Sequence, residues 1–180
     1  MLRRMGTTFE IPTLHSERLT LRAFRADDID AWATMEADPD VRRYRGNNPR
    51  TREQAWSAME TNLGQWALRG YGVFALEQLT DSSFVGIAGV LHPAEWPEPE
   101  LAYSLDRPFW GRGLAVEAAV AAREWAFRQH GFARLASFIL PDNIRSIRVA
   151  ERLGAEHEGM VEIRGFQVQW WVHRPPTGGV

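Results

Sequence analysis

The chain has 180 residues, with 21 basic and 23 acidic side chains and a formal net charge of −2. So even a balance gives no electrostatic argument for nucleic acid or for an anionic membrane, and no apolar run approaches the roughly 20 residues of a membrane helix. With no cysteine there is no disulfide, no thiolate metal site and no cysteine nucleophile.

In chain order, Leu19 to Arg22 alternates and reads as a strand. Asp27 is placed as the cap of a first helix running to Ala37, with Ile29, Trp32, Ala33 and Met35 as its apolar residues. Asp38-Pro39-Asp40 is read as its stop. Thr51 to Gln54 is a capping-box pattern. The helix after it carries Ala55, Trp56, Met59, Leu63 and Trp66 near helical spacing, and Gly70 suits its C-terminal cap. Strands are expected over 71–78 and 84–92, joined by the turn at Thr80 to Ser83. A Pro-rich loop leads to a strand from Glu100 to Leu105. A helix follows from Leu114 to His130, then a strand over 133–140 and a helix over 143–153. The last hairpin, 156–163 and 166–173, turns at Arg164-Gly165, and the tail from Arg174 reads as loose. The order predicts a mixed α/β fold of the α+β type, with a mostly antiparallel sheet of about seven strands and about four helices. One domain over 1–180 is expected, and with nothing like a secretory signal among its first residues a cytoplasmic protein.

The chemistry is concentrated in Trp110-Gly111-Arg112-Gly113-Leu114-Ala115. A glycine-rich turn from strand to helix aims unpaired N–H groups and the positive helix end at one point, which suits a phosphate or pyrophosphate. A Walker-type loop would end in Gly-Lys-Ser/Thr, and no lysine is present. A dinucleotide fingerprint would need a third glycine. The donors are the backbone groups of Arg112 to Val116, and Arg112 also offers its side chain.

This run resembles the pyrophosphate loop of the GNAT acetyltransferase superfamily, with Trp110 at its first position, Gly113 as the central glycine and Ala115 at the last. Tryptophan there is similar to the RimJ/RimL-type branch, which acetylates protein N-termini and small amines. Pro141 to Ala155 resembles that branch's Asn-x-x-Ser helix and Leu-Gly end, and Ser16 to Arg22 with Asp27-Asp28 resembles its first strand and helix entry. The matches keep the family's order and span about Leu14 to Val172. The resemblance implies acetyl-CoA as cofactor, no metal, a sheet that splays after the Glu100 strand, and a pantetheine arm in the gap. It implies cofactor contacts at Leu105, Trp110, Gly111, Arg112, Gly113, Leu114, Ala115, Val116 and Asn143, with Ser146 near the thioester sulfur as a candidate acid. Two features depart from the branch: the final hairpin is short, and Ala155 stands where Phe is usual.

Acetyl transfer needs an unprotonated amine, and an alkylamine pKa near 10.4 calls for a base. Glu100 is the base candidate. Period two puts it on one strand face with Ala102 and Ser104, opposite Leu101, Tyr103 and Leu105. His92, Glu98 and Glu95 are its rivals, and Tyr103 is a second candidate donor to the thiolate. Tyr44, Trp66, Trp96 and Trp170 are candidates for an aromatic acceptor wall, and Arg42, Arg43 and Arg45 add positive charge there. The expectation is transfer from acetyl-CoA to a primary amine, either a small molecule or a peptide N-terminus, by direct attack in a ternary complex. The alternatives are a CoA-binding sensor or interaction module without catalysis and a different nucleotide binder. The last hairpin, with its consecutive tryptophans, offers a surface for a homodimer.

Overall fold

The computed structural model describes residues 9–46 and 48–176. Its elements are β1 (Leu14–His15), β2 (Leu19–Arg22), α1 (Ile29–Ala37), α2 (Pro39–Arg42), α3 (Arg52–Arg69), β3 (Val73–Gln78), β4 (Phe84–Leu91), β5 (Glu100–Leu105), α4 (Leu114–His130), β6 (Leu135–Ile139), α5 (Ile144–Arg152), β7 (Glu156–Ile163) and β8 (Phe166–His173). The strands form one sheet in the order β1-β2-β3-β4-β5-β6-β8-β7. Every neighbouring pair is antiparallel except β5 and β6.

The expected elements are present, with corrections at their edges. The sheet has an eighth strand, the two-residue β1, too short to show an alternation. Asp38-Pro39 does end α1, but it also starts α2. The Asp38 carboxylate accepts the Asp40 N–H, and Pro39 takes the first helical position, where a missing N–H costs nothing. Asp27 is not the cap of α1. A 3₁₀ turn over Ala26–Asp28 leads into it, and Asp28 is buried, accepting from Arg25 N–H and pairing bidentately with Arg22. The capping box at Thr51–Gln54 and the left-handed Gly70 that ends α3 form as expected. Residues 177–180 of the expected tail lie outside the described residues.

Two apolar layers flank the sheet. On one face α4 packs on β2 to β5, with Phe74, Leu76, Leu101, Ala118, Ala122 and Trp125 among the buried residues. On the other, Trp32, Met35, Ala55, Met59, Val73 and Ala75 bury α1 and α3. Trp32 is fully buried and its indole N–H donates to Ala55 O at 2.8 Å, which ties α1 to α3. β3 is covered on both faces over Val73 to Leu76, so those four residues are apolar without alternation.

Gly89 in β4 fixes how closely β3 and β4 lie. A Cβ there would stand 2.2 Å from Gly72 O and 2.5 Å from Val73 Cα, both backbone atoms. Gly89→Ala is therefore expected to destabilise the protein by about 2–4 kcal/mol, read as a fall in thermal midpoint. An unchanged midpoint would show that the strand spacing is not set there.

Candidate functional site

β5 and β6 start as a parallel pair and part almost at once. Glu100–Ala136 is their only ladder pair, reinforced by Ala136 N–H to Pro99 O at 2.9 Å. Asp106 N–H bonds Val85 O, so by the alternation of an antiparallel ladder residues 102 and 104 turn their backbone groups to β4. Those of 101, 103 and 105 then face β6. Beyond Ala136, however, β6 pairs with β8 alone.

Side chains stand in for the missing rung. Ser137 Oγ donates to Leu101 O at 2.9 Å. Glu100 Oε1 accepts the Phe138 N–H at 3.3 Å, and its Oε2 accepts the Trp96 indole N–H at 2.7 Å. Ser137 is also in contact with His173 Nε2 at 3.0 Å. Since Ser137 already donates to Leu101, this bond is the imidazole N–H donating to the hydroxyl. His173 is fully buried, and burial together with nearby Arg123 pushes its pKa down to about 4, so the ring is neutral. The wedge leaves a V-shaped slot that opens toward Leu105. There the Tyr103 backbone edge has no strand partner.

The slot runs toward the start of α4. Gly111 and Gly113 have φ of +74° and +79°, which glycine adopts without strain. Gly113 is the N-cap, and no side chain caps the helix. The N–H groups of Leu114, Ala115 and Val116 are therefore left for a ligand, as α4's first intrahelical bond is Glu117 N–H to Gly113 O. A Cβ at Gly111 would meet no protein atom within 4 Å. Leu114 is buried in the core. The Leu105 carbonyl is occupied, accepting the Trp110 indole N–H at 2.8 Å. The Trp110 ring is covered by the Arg145 guanidinium at 4.1 Å. Arg112 bonds Gln78 Oε1 at 3.3 Å and lies over Phe109. Arg18 reaches the Arg112 carbonyl and pairs with Glu117.

Across the slot, Asn143 caps α5, accepting the Ser146 N–H at 3.3 Å. Ser146 Oγ donates to Tyr103 Oη at 3.2 Å, and Tyr103 donates to Ser146 O at 3.1 Å. Burial holds the Tyr103 phenol above its ordinary pKa, and the charge of Glu100 adds to this. The structure thus joins the two candidate donors in one pair.

Glu100 stands apart from its rivals. Burial pushes its carboxyl up to about 7, against the pull of its two donors. Glu98 is paired with Arg134 and accepts from Trp170, and Glu95 is paired with Arg164. His92 lies at the end of β4 beside Tyr71 Oη, and burial lowers its pKa. Of the expected aromatic wall, Trp96 and Trp170 flank Phe138, each with ring centroids 6.3 Å from it. Trp66 is excluded, being 2 % exposed and packed on Phe74 and Trp125. Tyr44 Oη donates to Asp142 O at 3.1 Å, beside Asn143. Arg43 lies over the Tyr44 ring, and Arg42 and Arg45 are drawn into bonds with the buried Glu36. Sequence reasoning missed Ser137, Phe138, Arg18 and Arg145. Arg145 was within reach, since it falls inside the Asn-x-x-Ser stretch. The concavity of about 570 Å³ between β1 and α4 lies away from this site. The described residues hold no cluster of metal-ligating side chains, and none of their helices is long and apolar enough to cross a membrane.

A central sheet split beside an uncapped, glycine-led helix offers a long slot that ends at a set of free N–H donors. A family model described as an acetyltransferase (GNAT) domain matches residues 18–156. The chain belongs to that family, and so is an acyltransferase whose reaction draws on acetyl-CoA. It is 31% identical to YkkB of Bacillus subtilis over 151 residues, 80% of this chain and 85% of that one. An acetyltransferase structure from Agrobacterium tumefaciens superposes with a TM-score of 0.83 at 31% identity, covering 96% of this chain and 99% of its own. RimL, a ribosomal L7/L12 α-N-protein acetyltransferase solved in complex with coenzyme A, shares the fold at 18% identity. Its TM-score is 0.72, with 91% of this chain and 98% of that chain covered.

The raised pKa of Glu100 carries a stability consequence. The fold favours its protonated form, so this residue opposes folding increasingly as pH rises from its ordinary 4.5 through about 7. Glu100→Gln removes the charge and keeps the shape. Its stability relative to wild type is expected to improve by on the order of 1–2 kcal/mol between pH 5 and pH 8, read from denaturant midpoints. A difference independent of pH would mean that Glu100 is not held in its neutral form.

Proposed function

We propose that the protein is an N-acetyltransferase that moves the acetyl group of acetyl-CoA to a primary amine by direct attack in a ternary complex. The observation that carries this reading is the slot between β5 and β6, opening onto the free N–H groups of α4. A pyrophosphate suits those donors and the helix dipole. The bare backbone edge of Tyr103 suits the amides of a pantetheine arm, which would add as a strand fragment. Leu105 and Trp110 then shape the slot floor, Asn143 its far wall, and Gly111, Arg112, Gly113, Leu114, Ala115 and Val116 the phosphate loop.

The bound cofactor supplies a thioester carbonyl. The protein supplies position and protons. Glu100, with a pKa near neutrality, takes a proton from the incoming ammonium group. The freed nitrogen pair forms the new C–N bond as the C–S bond breaks. Ser146, paired with Tyr103, would pass its hydroxyl proton to the departing sulfur and regain one from the second proton that the acylated nitrogen sheds, so that the products are the amide and the free thiol. The phenol, held above its ordinary pKa, keeps its own proton and orients the serine. The acceptor is a peptide N-terminus or a small amine, as in the RimJ/RimL-like branch, and RimL, which shares the fold, is a ribosomal L7/L12 α-N-protein acetyltransferase.

Two measurements test this. Calorimetric titration is expected to show CoA binding in preference to ATP and NAD. Gly111→Asp, which tolerates the positive φ better than most residues and has room for its Cβ, is expected to weaken CoA binding at least tenfold by charge repulsion. Equal binding of all three nucleotides would remove the reading. For the chemistry, kcat/KM is expected to rise with pH through about 7, where Glu100 loses its proton. In Glu100→Gln it is expected to fall by about 10²–10⁴ and lose that limb. A variant with the full wild-type profile would exclude Glu100 as the base.

A further inference from the structure

α4 packs on one face of β5, and no helix packs broadly on the other. That bare face carries Glu100, Ala102 and Ser104, all partly exposed, while Leu101 and Leu105 are buried on the α4 side. Its Glu100 end is flanked by Trp96, Phe138 and Trp170. Its Ser104 end meets a knot of arginines. Glu36, at the end of α1, is fully buried. Its Oε1 accepts from Arg45 Nη1 at 2.6 Å, its Oε2 accepts from Arg42 Nη1 at 3.1 Å, and Arg50 Nη1 makes an ion pair with Oε2 at 3.0 Å.

Three guanidinium groups share one carboxylate, an excess of two positive charges, with Glu36 and Arg42 buried and Arg45 and Arg50 partly exposed. The nearest acids on the same segment do not cancel it, because Asp38 and Asp40 are engaged by Arg107. Such an excess is costly to keep unless something else neutralises it. Arg42 registers the strain. Burial pushes it down to about 10, with Arg45 and Arg50 opposing the pull of Glu36. Arg45 is the member that reaches the trough. Its side chain is 27% exposed, and Nη1 also touches Ser104 Oγ at 3.3 Å. Its Nε and Nη2 have no hydrogen-bond partner among the described residues.

We infer that Arg45 and Ser104 form an anion subsite, and that the acceptor is a peptide α-amine with an aspartate or glutamate at its second or third residue. The inference rests on the reading of Glu100 as the base. Glu100 and Ser104 are four residues apart on one strand face, a span of roughly 13 Å that side-chain reach shortens to about 10 Å. An α-amino acid carries its amine and carboxylate on one carbon and cannot bridge that distance. A polyamine would bring a second cation against the arginines. A short acidic N-terminus fits both ends.

The test compares two tripeptide amides, serine-glutamate-alanine and serine-glutamine-alanine, as acceptors. Because all 21 basic residues of the chain are arginine, no lysine of the enzyme contributes an acetylation background. Wild type is expected to favour the acidic peptide in kcat/KM by at least tenfold, the gain of one charge-assisted contact. In Arg45→Gln the ratio falls toward one, and in Arg45→Lys part of it returns. Ser104→Ala, a change too small to unfold the sheet, lowers the ratio by about threefold and stands in if Arg45→Gln does not fold.

Tryptophan fluorescence of the CoA-loaded protein, titrated with the same two peptides, reads the subsite without chemistry. Acid-selective binding that depends on Arg45 but yields no acetylation would uphold the subsite and sink the base assignment. Equal handling of the two peptides, or a preference that survives in both Arg45→Gln and Ser104→Ala, overturns the inference.

Discussion

Everything at the site depends on one rung that the sheet does not make. Between β5 and β6 the ladder stops after Glu100–Ala136, and buried backbone groups cannot be left without partners cheaply. The chain meets that constraint with side chains. Ser137 takes the Leu101 carbonyl, Glu100 takes the Phe138 N–H, and the imidazole N–H of His173 in turn donates to Ser137. The strands can then diverge without a loss at the vertex. The divergence leaves a gap through an otherwise continuous sheet, so two molecules can meet from opposite faces. The same wedge buries the Glu100 carboxyl, which pushes its pKa toward neutrality. Opening the sheet and raising the pKa of Glu100 are one physical act.

Charge is distributed accordingly. On the α4 side the positive helix end and Arg18, Arg112 and Arg145 surround the Gly111–Val116 turn, which has no carboxylate of its own. Glu117, in the first turn of the helix, is neutralised by Arg18. On the other side, the arginines around Glu36 and the aromatic group of Trp96, Phe138 and Trp170 bound a trough on β5. The two hydroxyls, Tyr103 and Ser146, bridge the slot itself. The two faces of the split sheet therefore differ in polarity, and titratable groups stand on both sides of the slot.

Much of the frame was legible in the residues. The capping box at Thr51, the glycine at 70, and the strand–glycine–helix run at 100–116 all carry local signals that tertiary packing did not override. The misreadings have physical causes. Asp38-Pro39 signals a helix stop and a helix start in the same letters. Asp27 and Asp28 compete for one capping role, and the loser cannot be told from spacing because Asp28 is recruited by the distant Arg22 and Glu77 network. Trp66 has the composition of a pocket residue and the position of a core one. Only its contacts with Phe74 and Trp125 separate the two.

By itself the sequence determined the order of the main elements, the glycine turn into α4, the face of β5 that Glu100 occupies and the family to which the chain belongs, because each is written in short-range spacing. Only the tertiary structure decided which groups meet. The Tyr103–Ser146 pair joins residues 43 positions apart, the Glu100–Phe138 wedge residues 38 apart, and the Arg45–Ser104 contact residues 59 apart. Such meetings follow from how strands diverge and helices pack, and a pKa near 7 on a glutamate follows from the burial they impose. A one-dimensional pattern carries neither a dielectric nor a distance.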